Sequence, residues 1–293
     1  MEKKPRVFII LVNWNNWQDT LECIRSLANI NYANHRIIVI DNGSTDDSFK
    51  RLKRSSPKVK LIRSQENLGF AGGNNVGIRY SLGNKADYVL LLNNDTVVDK
   101  DFLEPLVQFL ETDPKFGIVG PLIYDYHVKD KLWWAGGKFD FWLNFHPETE
   151  MSQSETKIVT FQSGCAMLIK KEVFEKVGFL DEDYFLYYED ADFCFSAKRV
   201  GFSCAVTKKS NIWHKISMST KGEENPANEY YYVRNKLKFG HKNCPRWRWF
   251  LSFILYSGKI LLKSLHLFLE RKSAYGFMGY FDFLNHRWGK FKP

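Results

Sequence analysis

Several absences narrow the reading of this chain before any motif is considered. Its five cysteines, Cys23, Cys165, Cys194, Cys204 and Cys244, are odd in number and form no CxxC pair, which suggests neither a disulfide framework nor a thiolate zinc site. A reducing cytosol is the natural setting. The first apolar run, "VFIILV", is too short for a signal-peptide core and gives way at once to amides, so it reads as a first strand. No GxGxxG follows a strand, so the dinucleotide fingerprint fails. Internal repeats, low-complexity segments and a linker marking a second globular domain are also missing. Acidic residues nearly vanish toward the end: from His241 to Pro293, ten Lys or Arg face only Glu270 and Asp282, a local net charge of +8 in a chain whose total is +9.

What is present suits a large α/β protein. The 293 residues are 44% hydrophobic, enough for one α/β domain or for a domain with an appendage. In the first part, strand-like runs ("RVFIILV", "HRIIVI", "KVKLIR", "DYVLLL") alternate with helical segments near Trp17 to Ala28, after Asp46 and after Gly72. That alternation predicts a parallel, doubly wound sheet. The polar stretches that end these strands, "NWNN", "DNGSTDDS", "SQENLGFAGGNN" and "NNDT", should gather at one sheet edge, where such folds bind ligands. Further on, short strands are expected at Phe116 to Tyr124, Lys131 to Phe139, Ile158 to Phe161 and Cys165 to Ile169, forming a mixed extension of the sheet. Helices are expected at about Glu189 to Val200 and Asn228 to Phe239.

Single segments stay ambiguous. Asp41, at a strand end, either accepts from a nucleoside's base or ribose or belongs to a turn that Asp46 caps. Gly72 and Gly73, ahead of a helix, could let backbone N–H groups approach a diphosphate. Asp95 alone reads more often as a cap or turn residue than as a metal ligand. Glu189, Asp190 and Asp192 favour a helix macrodipole whether or not they do chemistry. His214, after a short strand and beside Trp213, reads by default as a satisfied structural histidine.

Taken in order, these segments are more specific. The stretches "VNWNNWQDTLECIRSL", "VIDNGSTDDS", "ENLGFAGGNNVGIRYS", "YVLLLNNDTVV", "SGCAMLIKKEVFEKVGFLDEDYFLYYEDADFCFSAKRVG", "WHKISMS" and "YYYVRNKLKF" closely resemble the family 2 inverting glycosyltransferases of the GT-A fold, especially the rhamnosyltransferase-like branch. The resemblance runs from about Arg6 to Gly240. It implies a nucleotide-diphospho-sugar transferase fold, a doubly wound mixed sheet, over residues 1–240, followed by a basic helical extension over 241–293. It assigns Asp190 as the general base and places Asn13, Asn15, Asp41, Gly72, Asn75, Asn93, Asn94 and Arg234 around a UDP-, dTDP- or GDP-sugar. It gives Asp95 and His214 to a divalent Mg²⁺ or Mn²⁺ on the diphosphate. The family's DxD stands here as Asn93-Asn94-Asp95, so the first carboxylate is missing and His214 gains importance.

The expected activity is inverting transfer of a sugar to a hydroxyl of a glycan or lipid-linked glycan acceptor in surface polysaccharide assembly. A catalytically silent nucleotide-sugar-binding or scaffolding subunit is the alternative from another class. A processive synthase is disfavoured by the lack of transmembrane helices and of a QxxRW stretch. In "RWRWFLSFILYSGKILLKSLHLFLERK", helical spacing aligns Ser252, Lys259, Lys263, His266 and Glu270 as a narrow polar stripe on a broad apolar surface. With Arg246, Arg248, Arg271 and Lys272 nearby, the segment is expected to lie on an anionic membrane surface, making the protein peripheral on the inner face of the membrane. The other outcome is a helix folded back on the catalytic domain. Nucleic acid is not an expected partner, because so apolar a tail suits a phosphate backbone poorly.

Overall fold

Strand β1 (Val7–Asn13) is apolar until its last residue, and the residues from Val7 to Leu11 are all buried. Such a run suits only a sheet interior covered on both faces. It is followed by α1 (Trp17–Leu27), β2 (His35–Asp41), α2 (Ser48–Ser55), β3 (Lys60–Arg63), α3 (Gly69–Gly83) and β4 (Tyr88–Asn93). The computed structural model describes residues 4–128, 130–139, 145–151, 153–215, 226–269 and 275–291, the side chains of 226–227 and 263–269 excepted. Strands β3, β2, β1 and β4 lie side by side in parallel, as the alternation predicts. Full burial of Ile9, Ile10, Leu90 and Leu91 contributes about 1.5–3 kcal/mol per side chain.

The second half is mixed. It comprises β5 (Thr96–Val98), α4 (Leu103–Thr112), β6 (Phe116–Asp125), β7 (Leu132–Trp134), β8 (Gly137–Phe139), β9 (Phe145–Pro147), β10 (Thr156–Val159), β11 (Ala166–Lys170), α5 (Lys171–Val177), α6 (Glu189–Arg199) and β12 (Ser203–His214). The main sheet runs β10-β12-β6-β11-β4-β1-β2-β3, with β5 paired to β12 and β7 to β6. The single strand expected over Lys131 to Phe139 is instead two. Gly136, at φ +104, turns the chain, so β7 joins the main sheet while β8 pairs with β9. Only glycine adopts that backbone readily. Only a short strand ahead of His214 was expected where β12 runs for twelve residues, because its Lys and Ser residues blur its alternation.

Three helices end the chain: α7 (Pro226–Asn243), α8 (Arg246–Leu269) and α9 (Tyr275–Leu284). Residue 241, where the extension was expected to begin, falls inside α7. That helix serves two clusters: Phe239 stacks on Phe139 of the main core at 4.7 Å, while Val233 and Leu237 pack with Ile260 and Phe283. Helix α9 lies close on α7, because a Cβ at Gly279 would sit 2.4 Å from the Tyr230 carbonyl oxygen. Helix α8 differs from the expected stripe. Ser252 is buried toward the protein, whereas Lys259 is exposed among apolar residues; Lys263 and His266 side chains and residues Glu270, Arg271 and Lys272 lie outside the described residues. Trp249, Phe253 and Tyr256 turn inward, while Trp247, Phe250, Leu251, Ile254, Leu255 and Leu262 are exposed. Among the described residues, no helix is long and apolar enough to cross a membrane.

Candidate active site

Three strand ends converge at the carboxyl edge of the sheet. Asn13 is in register with Asp41, and Val12 with Asn93. The Asn13 amide donates to Asp41 Oδ1 at 3.3 Å and to Ser44 Oγ at 3.1 Å, while its oxygen accepts from Thr20 Oγ1 at 2.8 Å. Asn13 therefore stands behind Asp41 rather than free in the crevice. Asp41 is buried, and its Oδ2 faces Arg63 Nε at 3.3 Å without a hydrogen bond. The half-exposed Arg63 has to move aside before a ligand reaches that oxygen. Asn15, left-handed at φ 53, accepts from Thr45 N at 2.8 Å and ties the first loop to the second.

The strand carrying "NND" distributes its three polar side chains differently. Asn94 turns away and donates to Thr20 Oγ1 at 2.8 Å. The Asn93 amide approaches His214 Nε2 at 3.4 Å. Asp95 Oδ1 pairs with the same Nε2 at 3.0 Å; Asp95 is 6% exposed and His214 3%. Antiparallel pairing of His214 with Thr96 brings these residues together from distant parts of the chain. Burial alone would push the His214 imidazole down, but the neighbouring Cys165 and Asp95 outweigh it and hold the group well above its ordinary value. Its Nδ1 is buried without a hydrogen-bond partner among the described residues, and Trp133 lies 5.0 Å away, ring to ring.

One carboxylate and one imidazole are a donor set that fits Mg²⁺ or Mn²⁺. Among the described residues no cluster of three or more His, Cys, Asp or Glu could hold a metal.

Asp190 opens α6 and is linked to the same place. Its Oδ2 accepts from Gly164 N at 2.8 Å and its Oδ1 from Ala191 N at 2.7 Å. The next residue, Cys165, accepts from Asn93 N through its carbonyl at 2.8 Å. A single turn thus joins Asp190 to the "NND" strand end. Burial raises the Asp190 carboxyl above its usual range, and the two N–H donors only partly offset it. Neighbouring Glu189 is raised further, first by burial and then by the Asp190 charge, and its Oε2 has no partner among the described residues. The approach to it is strained: Phe185, Tyr187 and Tyr188 have φ 63, 69 and 75, backbone that non-glycine residues seldom adopt outside functional sites.

Three expected nucleotide contacts have other work in this structure. Gly72 lies in the first turn of α3, where a Cβ would meet Leu68 Cβ at 2.7 Å. The Asn75 amide is committed to Leu180 O and Glu182 Oε1, both at 2.8 Å, and its oxygen accepts from Leu180 N at 3.1 Å. Arg234 is 0% exposed, and every N–H of its guanidinium is engaged: Nε to Asn235 Oδ1, Nη1 to Tyr230 Oη and Gly289 O, Nη2 to Asp183 O and Tyr184 O. No donor remains for a phosphate. An arginine in a polar motif cannot be told from a phosphate ligand by sequence, because its partners here are carbonyls far along the chain.

Other contributors went unforeseen. Thr20 holds both Asn13 and Asn94. Lys215 anchors the end of β12 on α1 through Asp19 at 2.7 Å and Glu22 at 2.5 Å. Gly73, which the sequence offers for backbone approach to a diphosphate, has a packing role that was not foreseen: it lies under the crevice, where a Cβ would come within 2.9 Å of Val12 Cγ1. None carries a local signal, except that three glycines in "GFAGG" announce close packing.

This arrangement has relatives. The glycosyl transferase family 2 model matches residues 8–178, more than half of the chain, and the chain belongs to that family. It is 26% identical over 275 residues to the low-salt glycan biosynthesis hexosyltransferase Agl10 of Haloferax volcanii, covering 91% of this chain and 86% of that one. It is 24% identical over 274 residues to the N-acetylglucosaminyl-diphospho-decaprenol L-rhamnosyltransferase of Mycobacterium tuberculosis, covering 84% and 88%. Among solved structures, GalNAc-T7 with UDP, GalNAc and Mn²⁺ superposes with a TM-score of 0.62 at 16% identity, over 87% of this chain and 57% of that one. The fold is therefore GT-A, and the protein is a glycosyltransferase whose homologues act in polysaccharide and glycan biosynthesis.

Proposed function

We propose that the chain catalyses metal-dependent, inverting transfer of a sugar from a nucleotide donor to a hydroxyl of a glycan or lipid-linked glycan acceptor, with Asp190 as general base. The observation that carries this reading is the half-buried Asp190 carboxylate, raised by burial and tied through the Gly164–Cys165 turn to Asn93. A base poised nearer neutrality accepts a hydroxyl proton more readily than an ordinary aspartate. As the acceptor oxygen bonds to the anomeric carbon, Asp190 takes its proton and the bond to the diphosphate breaks on the opposite face. One displacement inverts the anomeric centre and requires one base.

Asp95 and His214 would hold the divalent ion, with Asn93 beside them. When bound, the ion supplies positive charge that neutralises the departing diphosphate. Asp41, oriented by Asn13, meets the base or ribose once Arg63 moves aside. The name of the mycobacterial relative includes a lipid-linked diphospho-sugar, which supports an acceptor of that kind here.

A lipid-linked acceptor also accounts for α8. A helix that buries Ser252 and Ser257 while exposing Trp247, Phe250, Ile254 and Leu262 is the reverse of a water-facing helix, and such faces mark interaction surfaces. With exposed Arg246 and Lys259 alongside, an anionic bilayer surface fits it, the protein resting on the inner face of the membrane.

The reading is tested by a thermal-shift panel of UDP-glucose, dTDP-rhamnose and GDP-mannose with and without Mn²⁺, followed by NMR of the product formed from the stabilising donor. An anomeric configuration opposite to the donor's is expected. Retained configuration would remove the single-displacement mechanism.

A further inference from the structure

We propose that Asn235, backed by Arg234, is a positioning residue for transfer: it clamps the left-handed loop Tyr184–Tyr188 and thereby sets Asp190. This rests on the reading of Asp190 as the base. The Asn235 amide nitrogen donates to three carbonyls of that loop, Tyr184 O at 2.8 Å, Leu186 O at 2.7 Å and Tyr187 O at 3.0 Å. Its Oδ1 is held in turn by Arg234 Nε at 2.9 Å, and Arg234 Nη2 reaches Asp183 O at 3.1 Å and Tyr184 O at 3.0 Å. Both side chains are fully buried.

The loop is gripped from its other side by the start of α3. Phe70 N donates to Phe185 O at 2.7 Å, and Gly69, at φ +73, passes so close that a Cβ would lie 2.3 Å from that oxygen. Phe185 also stacks on Tyr231 at 5.2 Å. Left-handed non-glycine backbone persists only where its surroundings over-determine it; backbone N–H groups reach the carbonyls of Tyr184, Phe185 and Tyr188, whereas those of Leu186 and Tyr187 are met by Asn235. All three Asn235 acceptors lie within six residues of Asp190, so the clamp is aimed at the loop rather than at the core of α7. Misplacing a reacting group by about 1 Å can cost ~10²-fold in rate.

The test compares Asn235→Ala and Asn235→Ser with Leu237→Ala, a substitution in the C-terminal cluster that destabilises α7 without touching the loop. Nucleoside diphosphate release is followed from whichever of UDP-glucose, GDP-mannose and dTDP-rhamnose the unmodified protein turns over fastest. Hydrogen exchange of residues 184–190 is measured alongside. Asn235→Ala should lower kcat by ~10²-fold with little change in donor KM and faster exchange in the loop, Asn235→Ser should fall between, and Leu237→Ala should lower Tm while leaving kcat and loop exchange unchanged. Unaltered kcat or unaltered loop exchange in Asn235→Ala overturns the proposal, as does an equal loss of kcat in Leu237→Ala. If Asn235→Ala does not fold, Asn235→Ser and its exchange decide on the same terms. Asp190→Asn separates the two readings: if it is inactive and the Asn235 variants are normal, the clamp alone fails; if it turns over normally, the base assignment fails first.

Discussion

The Asp95 carboxylate and the His214 imidazole meet at 3.0 Å, both almost shut off from solvent. Their pairing holds the imidazole proton tightly, and a metal needs the ring neutral. If this pair holds Mn²⁺ as proposed, ion and proton compete there, and Mn²⁺ affinity should rise as pH climbs above the ordinary histidine range. Isothermal titration of Mn²⁺ with UDP at pH 6, 7 and 8 checks this. A flat profile would take His214 out of the metal site. His214→Ala should abolish the dependence and, by leaving Asp95 buried without its partner, destabilise the fold by about 3 kcal/mol.

Asp190→Asn should lower transfer by about 10²–10⁴-fold, the usual contribution of a positioned base, with donor binding little changed. Because burial raises this carboxyl, the base is lost as pH falls through a value above the ordinary aspartate range. The acid limb of the kcat profile should lie correspondingly high. Near-normal turnover by Asp190→Asn with a competent acceptor would assign the base elsewhere.

Two glycines of α3 should respond oppositely to alanine. At Gly73 a Cβ would press on Val12 Cγ1 at 2.9 Å and Asn42 Nδ2 at 3.1 Å, so Gly73→Ala should cost about 1–3 kcal/mol and disturb the crevice floor. At Gly83 nothing lies within 4 Å, and Gly83→Ala should stabilise by about 0.4–1 kcal/mol through the unfolded chain. Urea denaturation of both variants gives the signs; equal effects would refute the packing argument.

The outward face of α8 predicts which aromatic residues matter for lipid. Phe250→Ser with Ile254→Ser and Leu255→Ser should release the protein from anionic vesicles while leaving Tm nearly unchanged, whereas Trp249→Ser should lower Tm, since Trp249 packs against Phe283 at 5.9 Å. Binding should also weaken with salt, as each Lys or Arg near such a surface contributes about 1 kcal/mol and is screened. Undiminished vesicle binding by the triple variant would leave the bilayer reading without support.

Much of this protein is written locally in its chain. Period and punctuation were enough for β1 to β4 and the helices between them, because a strand buried on both faces needs an unbroken apolar run and its end is visible as "NWNN" or "NNDT". The polar ends of the first strands were enough to put Asp41 and Asp95 at one edge of the sheet, whereas Asp190 and His214 joined them only through the family resemblance. Local pattern has no means of saying which polar side chain faces a crevice and which is spent on the protein itself. Asn75 and Arg234 look like ligands in sequence and are consumed by Leu180, Glu182, Asp183, Tyr184 and Gly289. Helical spacing likewise drew the polar stripe of α8 but not its orientation, which depends on how Trp249, Phe253 and Ile260 fill the gap against α7 and α9. Hydrogen-bond partners and buried faces are properties of approaching surfaces, so only the tertiary structure could show that the Asn235 amide is spent on the carbonyls of Tyr184, Leu186 and Tyr187.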